Sequence, residues 1–297
     1  MTFSVKQLRF TFTLSTNAKF QGDNNNLVLT GLRATADIDF PGPPSFPTAV
    51  VRVWGMKPSD MQALTGLTFQ TLTYQRNSIQ IDTNAGNGWS TAFAGQMVTV
   101  VPKFESQPDV YLEITAQTLG YDLLNPATPT SFAVAPTFEQ VFTAIVQKMG
   151  QNLVNLDVTG SFSSPRYWPG TPAQQLRNAA QDAGIVYDLD TLGVVVIRNP
   201  GTPRNLPTYV ITPQNGLVGY PTLNSVNLIG GQTEYNPALR YGAPILIKGS
   251  QQKSANGSWT VYDLKHRLSS LMPDGPWFTD FTANPPSGFG ITPPTPA

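Results

Sequence analysis

Thr171-Pro172-Ala173-Gln174-Gln175-Leu176-Arg177-Asn178-Ala179-Ala180-Gln181-Asp182-Ala183-Gly184 contains the start, the buried face and the stop of one helix. Thr171 suits the N-cap, Pro172 has the φ wanted at the first helical position, and Gln174 completes a Thr-x-x-Gln capping box. Leu176, Ala179, Ala180 and Ala183 recur at i, i+3, i+4 and i+7, and Gly184 follows where a left-handed residue is favoured. The buried stripe is therefore narrow and made of small residues. Residues 185–189 and 194–197 then read as two strands around the turn Asp190-Thr191-Leu192-Gly193, so the segment is a helix followed by a β-hairpin.

A second helix is expected over residues 137–149. Thr137 and Gln140 form another capping box, and Phe138, Val141, Phe142, Ile145, Val146 and Met149 keep helical spacing before Gly150. This is the strongest amphipathic stripe in the chain, and each large side chain contributes roughly 1.5 to 3 kcal/mol on full burial. A strand over residues 153–158 is a natural surface for it to pack on. The reading is a packing helix rather than a ligand site.

Both flanks of this helical island read as short strands punctuated by Pro and Gly. Upstream, alternation puts Leu8, Phe10, Phe12 and Leu14 on one face of a strand over residues 6–14. Strands are expected over residues 27–38, 48–54, 67–72, 78–82, 97–102 and 109–117, with a short helix over residues 57–64 capped by Ser59. The pattern fits a small Greek-key sheet or half-open barrel. Downstream, strands are expected over residues 206–211, 219–228, 243–248, 259–268 and 277–281. Pro-rich connectors at residues 125–136 and 199–207 bracket the middle. The fold class is α+β, predominantly β, with two small β-barrel-like domains flanking a helix-plus-hairpin middle region. The divisions are residues 1–124, 125–204 and 205–283, then a Pro- and Gly-rich tail, 284–297, expected to be extended and ordered only where something holds it. The β domains share no obvious sequence, but similar strand lengths and turns suggest structural pseudo-repeats.

Composition limits the function. Of the 297 residues 40% are hydrophobic, enough for real cores, while only 12% are charged and the formal net charge is zero. Such a surface has little to attract polyanions, so nucleic-acid binding as the primary function is not expected. With no cysteine, disulfides, thiolate metal sites and cysteine nucleophiles are excluded. The first residues alternate like a strand and lack the apolar core of a signal peptide. No apolar run reaches the roughly 18 residues of a membrane-spanning helix. Folding in a cytosol is the expectation.

No catalytic constellation is legible, and no cofactor or metal is expected. His266 is the single histidine, so multi-histidine metal sites and Ser-His-Asp triads depend on it alone. A structural strand histidine is the simpler reading. Asp37 with Asp39, and Asp188 with Asp190, could each present paired carboxylates as a glycosidase needs. Both pairs adjoin turns, where Asp bonds its own backbone, and that reading is preferred. The aromatics Trp54, Trp89, Trp168, Trp259 and Trp277 suit β cores if buried and sugar stacking if exposed. Arg166-Tyr167-Trp168-Pro169 precedes the second helix and supplies the residue types of interface hot spots. Arg166, Tyr167 and Trp168, with Trp89 and Phe289 from other loops, are the candidate interface residues.

Three passages resemble a known family. Leu27-Val28-Leu29-Thr30-Gly31-Leu32-Arg33 followed by Val50-Val51-Arg52-Val53-Trp54-Gly55-Met56 looks like its first β domain. Residues 171–197 look like its capped helix and hairpin. Pro237-Ala238-Leu239-Arg240-Tyr241-Gly242-Ala243-Pro244-Ile245-Leu246-Ile247, then Asn256-Gly257-Ser258-Trp259-Thr260-Val261-Tyr262-Asp263-Leu264-Lys265-His266, is similar to its last barrel. The family is the central hub of bacteriophage baseplates, including the phage late-control D proteins and the T4 baseplate hub. The resemblance implies a homotrimer around the tail axis. Two β domains per subunit would form a pseudo-sixfold ring joining the hexameric tail tube, or a distal tail protein, to the trimeric spike. Tape measure and other baseplate proteins are implied neighbours, and DNA passes through the lumen without specific binding. It also implies a virion location after synthesis in the host cytoplasm, with edge strands such as residues 6–14 pairing between subunits. In the T4 relative the spike carries a lysozyme domain; nothing in this chain looks like one, so no enzymatic activity is expected. Three alternatives remain: a phage-associated carbohydrate-binding protein using Trp89, Tyr167 and Trp168, a glycan hydrolase using an Asp pair, and a distal-tail or tail-tube structural protein.

Overall fold

The computed structural model describes residues 5–14, 19–20, 24–43, 45–65, 77–105, 108–190, 193–225 and 227–286. The chain is α+β and predominantly β. The first β unit holds β1 (Gln7–Thr13), β2 (Asn26–Thr30), β3 (Ala34–Phe40), β4 (Thr48–Trp54), α1 (Pro58–Thr65), β5 (Ser78–Asn84), β6 (Ser90–Lys103) and β7 (Tyr111–Gln117). The middle holds α2 (Gly120–Leu124), β8 (Thr130–Phe132), α3 (Phe138–Lys148), β9 (Asn152–Leu156), β10 (Arg166–Trp168), α4 (Pro172–Ala183), β11 (Val186–Asp190) and β12 (Val194–Arg198). The last β unit holds β13 (Tyr209–Ile211), β14 (Leu217–Ser225), β15 (Leu228–Glu234), β16 (Pro244–Ile247), β17 (Gly257–Ser270) and β18 (Trp277–Asn284), with a short 3-10 turn, Lys253–Ala255, before β17.

Both central helices begin and end where their sequences say. The Thr137 hydroxyl accepts from the Gln140 N–H while the Gln140 side chain accepts from the Thr137 N–H, and Thr171 and Gln174 do the same for α4. Gly184 closes α4 at φ 67°, a left-handed value that a β-carbon would disfavour. α3 buries Val141, Phe142, Ile145, Val146 and Met149, while Phe138 meets Phe162 edge-on at 4.9 Å. β11 and β12 form the expected hairpin, and β9 joins β12 in parallel to make the sheet beneath the helices. Trp168 fills the end of this core with its indole N–H donating to Asp182 at 3.0 Å.

The β units follow their alternation. Leu8, Phe10 and Phe12 on β1 face inward, as do Ala34, Ala36 and Ile38 on β3 and Val51 and Val53 on β4. The expected strand at 27–38 is two strands, because Gly31 at φ 70° turns the chain between them. The expected strand at 219–228 is β14, which ends at Ser225, and the strand that pairs with it, β15 (Leu228–Glu234), is not among the expected strands. α1 begins at Pro58 with Ser59 inside its first turn, so Ser59 is not the cap; Pro at the first helical position sets the start. The expected strand at residues 67–72 lies outside the described residues.

The two β units are not separate sheets. One sheet runs β14-β15-β18-β17-β3-β4-β7-β6-β5-β1-β2, with β16 and β13 branching from β17. β17 makes the junction: its first residues pair β16, its later residues pair β3 from Leu264↔Phe40 to Ser270↔Ala34, and β18 runs along its other edge. Strand β1 lies between β5 and β2, so residues 6–14 are not an edge. The edges at the two ends of the path are β2 and β14. Three hydrophobic clusters underlie this frame. One is centred on the first β unit and takes in Leu268 and Trp277, one on α3 and α4, and one on Ile211, Ile245, Val261, Leu264 and Phe281.

Candidate assembly surfaces

The paired carboxylates are committed to structure. Asp188 on β11 is buried and held by Arg198, with Nε to Oδ2 at 2.8 Å and Nη2 to Oδ1 at 3.3 Å. Burial opposes the Arg198 cation, but the Asp188 hydrogen bonds and charge leave its pKa above the ordinary arginine value. Asp37 and Asp39 lie on β3 opposite Arg267 and Lys265 of β17. They belong to a polar face that crosses the junction between the β units. Arg52 Nε meets Glu113 at 2.8 Å, Arg267 meets Asp280 at 2.8 Å, and Gln232 donates to Asp280 at 2.7 Å. Acids and bases therefore alternate from β7 to β18, as cross-strand pairing favours, and Gln232 of β15 continues the polar face. Among the described residues no group of three or more His, Asp or Glu is placed to hold a metal ion.

His266 is buried on β17. Its Nδ1 lies 2.8 Å from the Thr279 hydroxyl, and its ring meets Phe40 and Tyr235 edge-on at 5.5 and 4.9 Å. Burial, with the Arg240 cation adding to it, pushes its pKa down to about 3, so the ring is neutral. Tyr235 continues the chain of rings to Trp277 at 5.5 Å, and its hydroxyl lies 3.1 Å from that of Thr83. Burial raises the Tyr235 phenol to about 12. This aromatic seam ties the first and last β units together. Its rings come from three strands and a loop, and no spacing rule links them.

The sequence-derived interface residues divide. Tyr167 is 63% exposed, but Trp168 next to it is only 3% exposed. Strand β10 alternates, so Tyr167 points out while Trp168 enters the middle core; Trp168 is therefore a packing residue and not a surface anchor. The Arg166 guanidinium lies 5.5 Å from the Phe162 ring. Trp89 is 37% exposed, and its face is taken by the Arg9 guanidinium at 4.4 Å, which Asp82 holds at 2.9 Å. Trp54 carries Arg33 in the same way at 4.7 Å. Phe289 lies outside the described residues. These positions do not assemble two open coplanar rings around a cleft, as a sugar platform built from Trp89, Tyr167 and Trp168 would require.

The open surfaces that remain are strand edges and strand faces. Val28 on the β2 edge is exposed, as are Val218, Tyr220 and Leu223 on the β14 edge. Strand β6 adds exposed Val98 and Val101 ahead of Phe104. Edges with apolar side chains and unpaired backbone groups invite pairing with another chain. The alternating pattern of β2 and β14 could have indicated the exposed faces, but which strands end the sheet is a matter of topology.

No family model and no curated protein matches the chain by sequence. Solved structures do match it in shape. A 43 kDa tail protein of prophage MuSo2 from Shewanella oneidensis superposes with a TM-score of 0.62 at 9% identity, over 94% of this chain and 97% of that one. A tail protein from Neisseria meningitidis gives 0.61 at 9% identity, over 93% and 96%. A component of the E. coli type VI secretion system, described as similar to the T4 bacteriophage tail proteins gp27 and gp5, gives 0.58 at 13% identity, over 90% and 77%. The fold is thus one found in phage tail proteins and in a type VI secretion component, in agreement with the resemblance read from the sequence.

Proposed function

We propose that this chain is a structural virion protein, the central hub of a phage tail baseplate. It acts as a homotrimer that joins the hexameric tail tube, or a distal tail protein, to a trimeric spike. The observation that carries the proposal is the single sheet fused through β17 and β3, whose two ends are the open edges β2 and β14. Each chain thus brings two β units in a fixed relation. Three copies joined end to end supply six β units around an axis, and a closed ring pairs the two edges at the ends of the path. The alternating acids and bases from β7 to β18 suit a channel wall, because paired charges offer DNA phosphates no line of bare cations. The tape measure protein and other baseplate subunits are the remaining partners, and assembly follows synthesis in the host cytoplasm. The role is positional and not enzymatic.

Gold-labelled antibody against the chain, viewed on intact tails by electron microscopy, tests the assignment. The hub places label at the tail tip alone. Label along the whole tube would make it a tube protein, and label on peripheral fibres would favour the carbohydrate-binding reading.

A further inference from the structure

Asparagine followed by glycine is the pair most prone to lose its side-chain amide, because glycine has no β-carbon to hinder attack of its own backbone nitrogen on the asparagine side-chain carbonyl. The chain has three such pairs, Asn87-Gly88, Asn215-Gly216 and Asn256-Gly257. Local structure separates them. Asn256 is held at both ends of its amide: Oδ1 accepts from the Ser250 N–H and Nδ2 donates to the Ser250 carbonyl, each at 2.9 Å. Gly257 then enters the β16–β17 ladder opposite Ile247. Asn215 donates from Nδ2 to the Val210 carbonyl at 2.9 Å. Its glycine is pinned as well, since the Gly216 carbonyl accepts from the Glu234 N–H at 2.7 Å and from the Thr233 hydroxyl at 3.0 Å. At both positions the attack must first break contacts that hold the turn.

Asn87 has none of these restraints. It stands exposed in the loop between β5 and β6, and its side chain makes no hydrogen bond among the described residues. Glycines flank it, Gly86 at φ 101° and Gly88 at φ 95°, and a β-carbon placed on Gly88 would meet nothing within 4 Å. Both neighbours are therefore free to bring the Gly88 nitrogen up to the Asn87 side chain. The nearby Asn84 is engaged instead in shaping the loop, its Oδ1 accepting from the Gly86 N–H at 2.8 Å.

We infer that Asn87 is a site of spontaneous deamidation, and the one of the three Asn-Gly pairs that reacts readily in the folded protein. The Gly88 nitrogen gives its proton to solvent and bonds to Asn87 Cγ; the Cγ–Nδ2 bond breaks, and the amide nitrogen leaves as ammonia. Water then opens the resulting cyclic imide at either carbonyl, which leaves aspartate or isoaspartate at this position. Either product puts a negative charge on a chain whose formal net charge is zero. Isoaspartate also inserts a methylene into the backbone of a loop that leads directly into Trp89, whose face carries the Arg9 guanidinium. The modification thus recharges one tip of the first β unit and lengthens its turn. The inference is independent of the hub assignment.

Peptide mass mapping of the full-length protein, aged in mildly alkaline buffer, reads the three sites separately. Trypsin places them in different peptides, residues 77–103, 205–240 and 254–265; fragmentation locates the change, and an isoaspartyl methyltransferase assay identifies the isomer. In native protein, conversion at Asn87 should run about tenfold faster than at Asn215 or Asn256, because each hydrogen bond that must break slows the attack severalfold. In protein unfolded with guanidinium the three rates should converge. Asn87→Ser should abolish the acidic form that native wild type accumulates on ion exchange. Equal rates at the three sites in native protein, or Asn256 reacting first, would overturn the inference. So would a lead for Asn87 that persists undiminished in the unfolded chain, since it would then owe nothing to the structure.

Discussion

His266 and Asp188 illustrate what single residues do in this fold. Above its ordinary value of 6.5, His266 is neutral in folded and unfolded chains alike. As pH falls from 6.5 towards 3, the unfolded chain takes up a proton that the buried ring refuses, so stability declines by up to about 1.4 kcal/mol per pH unit. Urea unfolding across that window should show wild type losing more stability than His266→Gln, with both flat relative to each other above pH 7; parallel curves throughout would contradict the burial. Asp188→Ala leaves the Arg198 cation buried without its carboxylate and should cost about 3 to 5 kcal/mol. Adding Arg198→Met should recover part of the loss, and the recovery is the sign that an unpaired charge was responsible. The sequence made His266 a structural strand residue, and it is one. It did not reveal that Asp188 is bound by Arg198, because residues ten apart meet only when the hairpin closes. Nor could it distinguish Tyr167 from Trp168, whose opposite orientations depend on where a three-residue strand sits.

At the scale of elements, local rules account for the middle region. Capping boxes, a proline at the first helical position and a terminal glycine are all contained within one or two turns of chain, which is why the bounds of α3 and α4 were legible. Thr171→Ala removes the acceptor for the Gln174 N–H and should lower stability by about 1 kcal/mol, measurable as a shift in the denaturant midpoint with unchanged slope. Strand faces were legible too, since alternation places Leu8, Phe10 and Phe12 together. Strand partners were not. β17 and β3 are far apart in sequence, and alternation specifies which face is buried without specifying which edge pairs. Lys265→Pro would put a ring into β17 where it lies between β18 and β3, at a cost of about 3 kcal/mol or more. Thermal unfolding should then separate into two transitions if β17 joins the β units as described. A single shifted transition would mean that they are coupled by other contacts.

The whole molecule is a three-part body whose chemistry lies in its edges. Its likeness to phage tail proteins extends over more than nine-tenths of the chain at 9% identity, so the architecture persists where the side chains do not. Asp188 is buried against Arg198, and His266 is buried and neutral. The free edges at β2 and β14, with Val28 at one and Tyr220 and Leu223 at the other, are where assembly would act. Leu223→Lys places a charge on an exposed edge and should weaken association while leaving the monomer's unfolding midpoint nearly unchanged. The most direct test of the hub is mass by light scattering over a concentration series, alone and with purified tail tube and spike components. The account predicts a mass three times the 32.2 kDa of one chain, reached by the chain alone or on addition of either partner. A monomer that persists at every concentration and with both partners would contradict it.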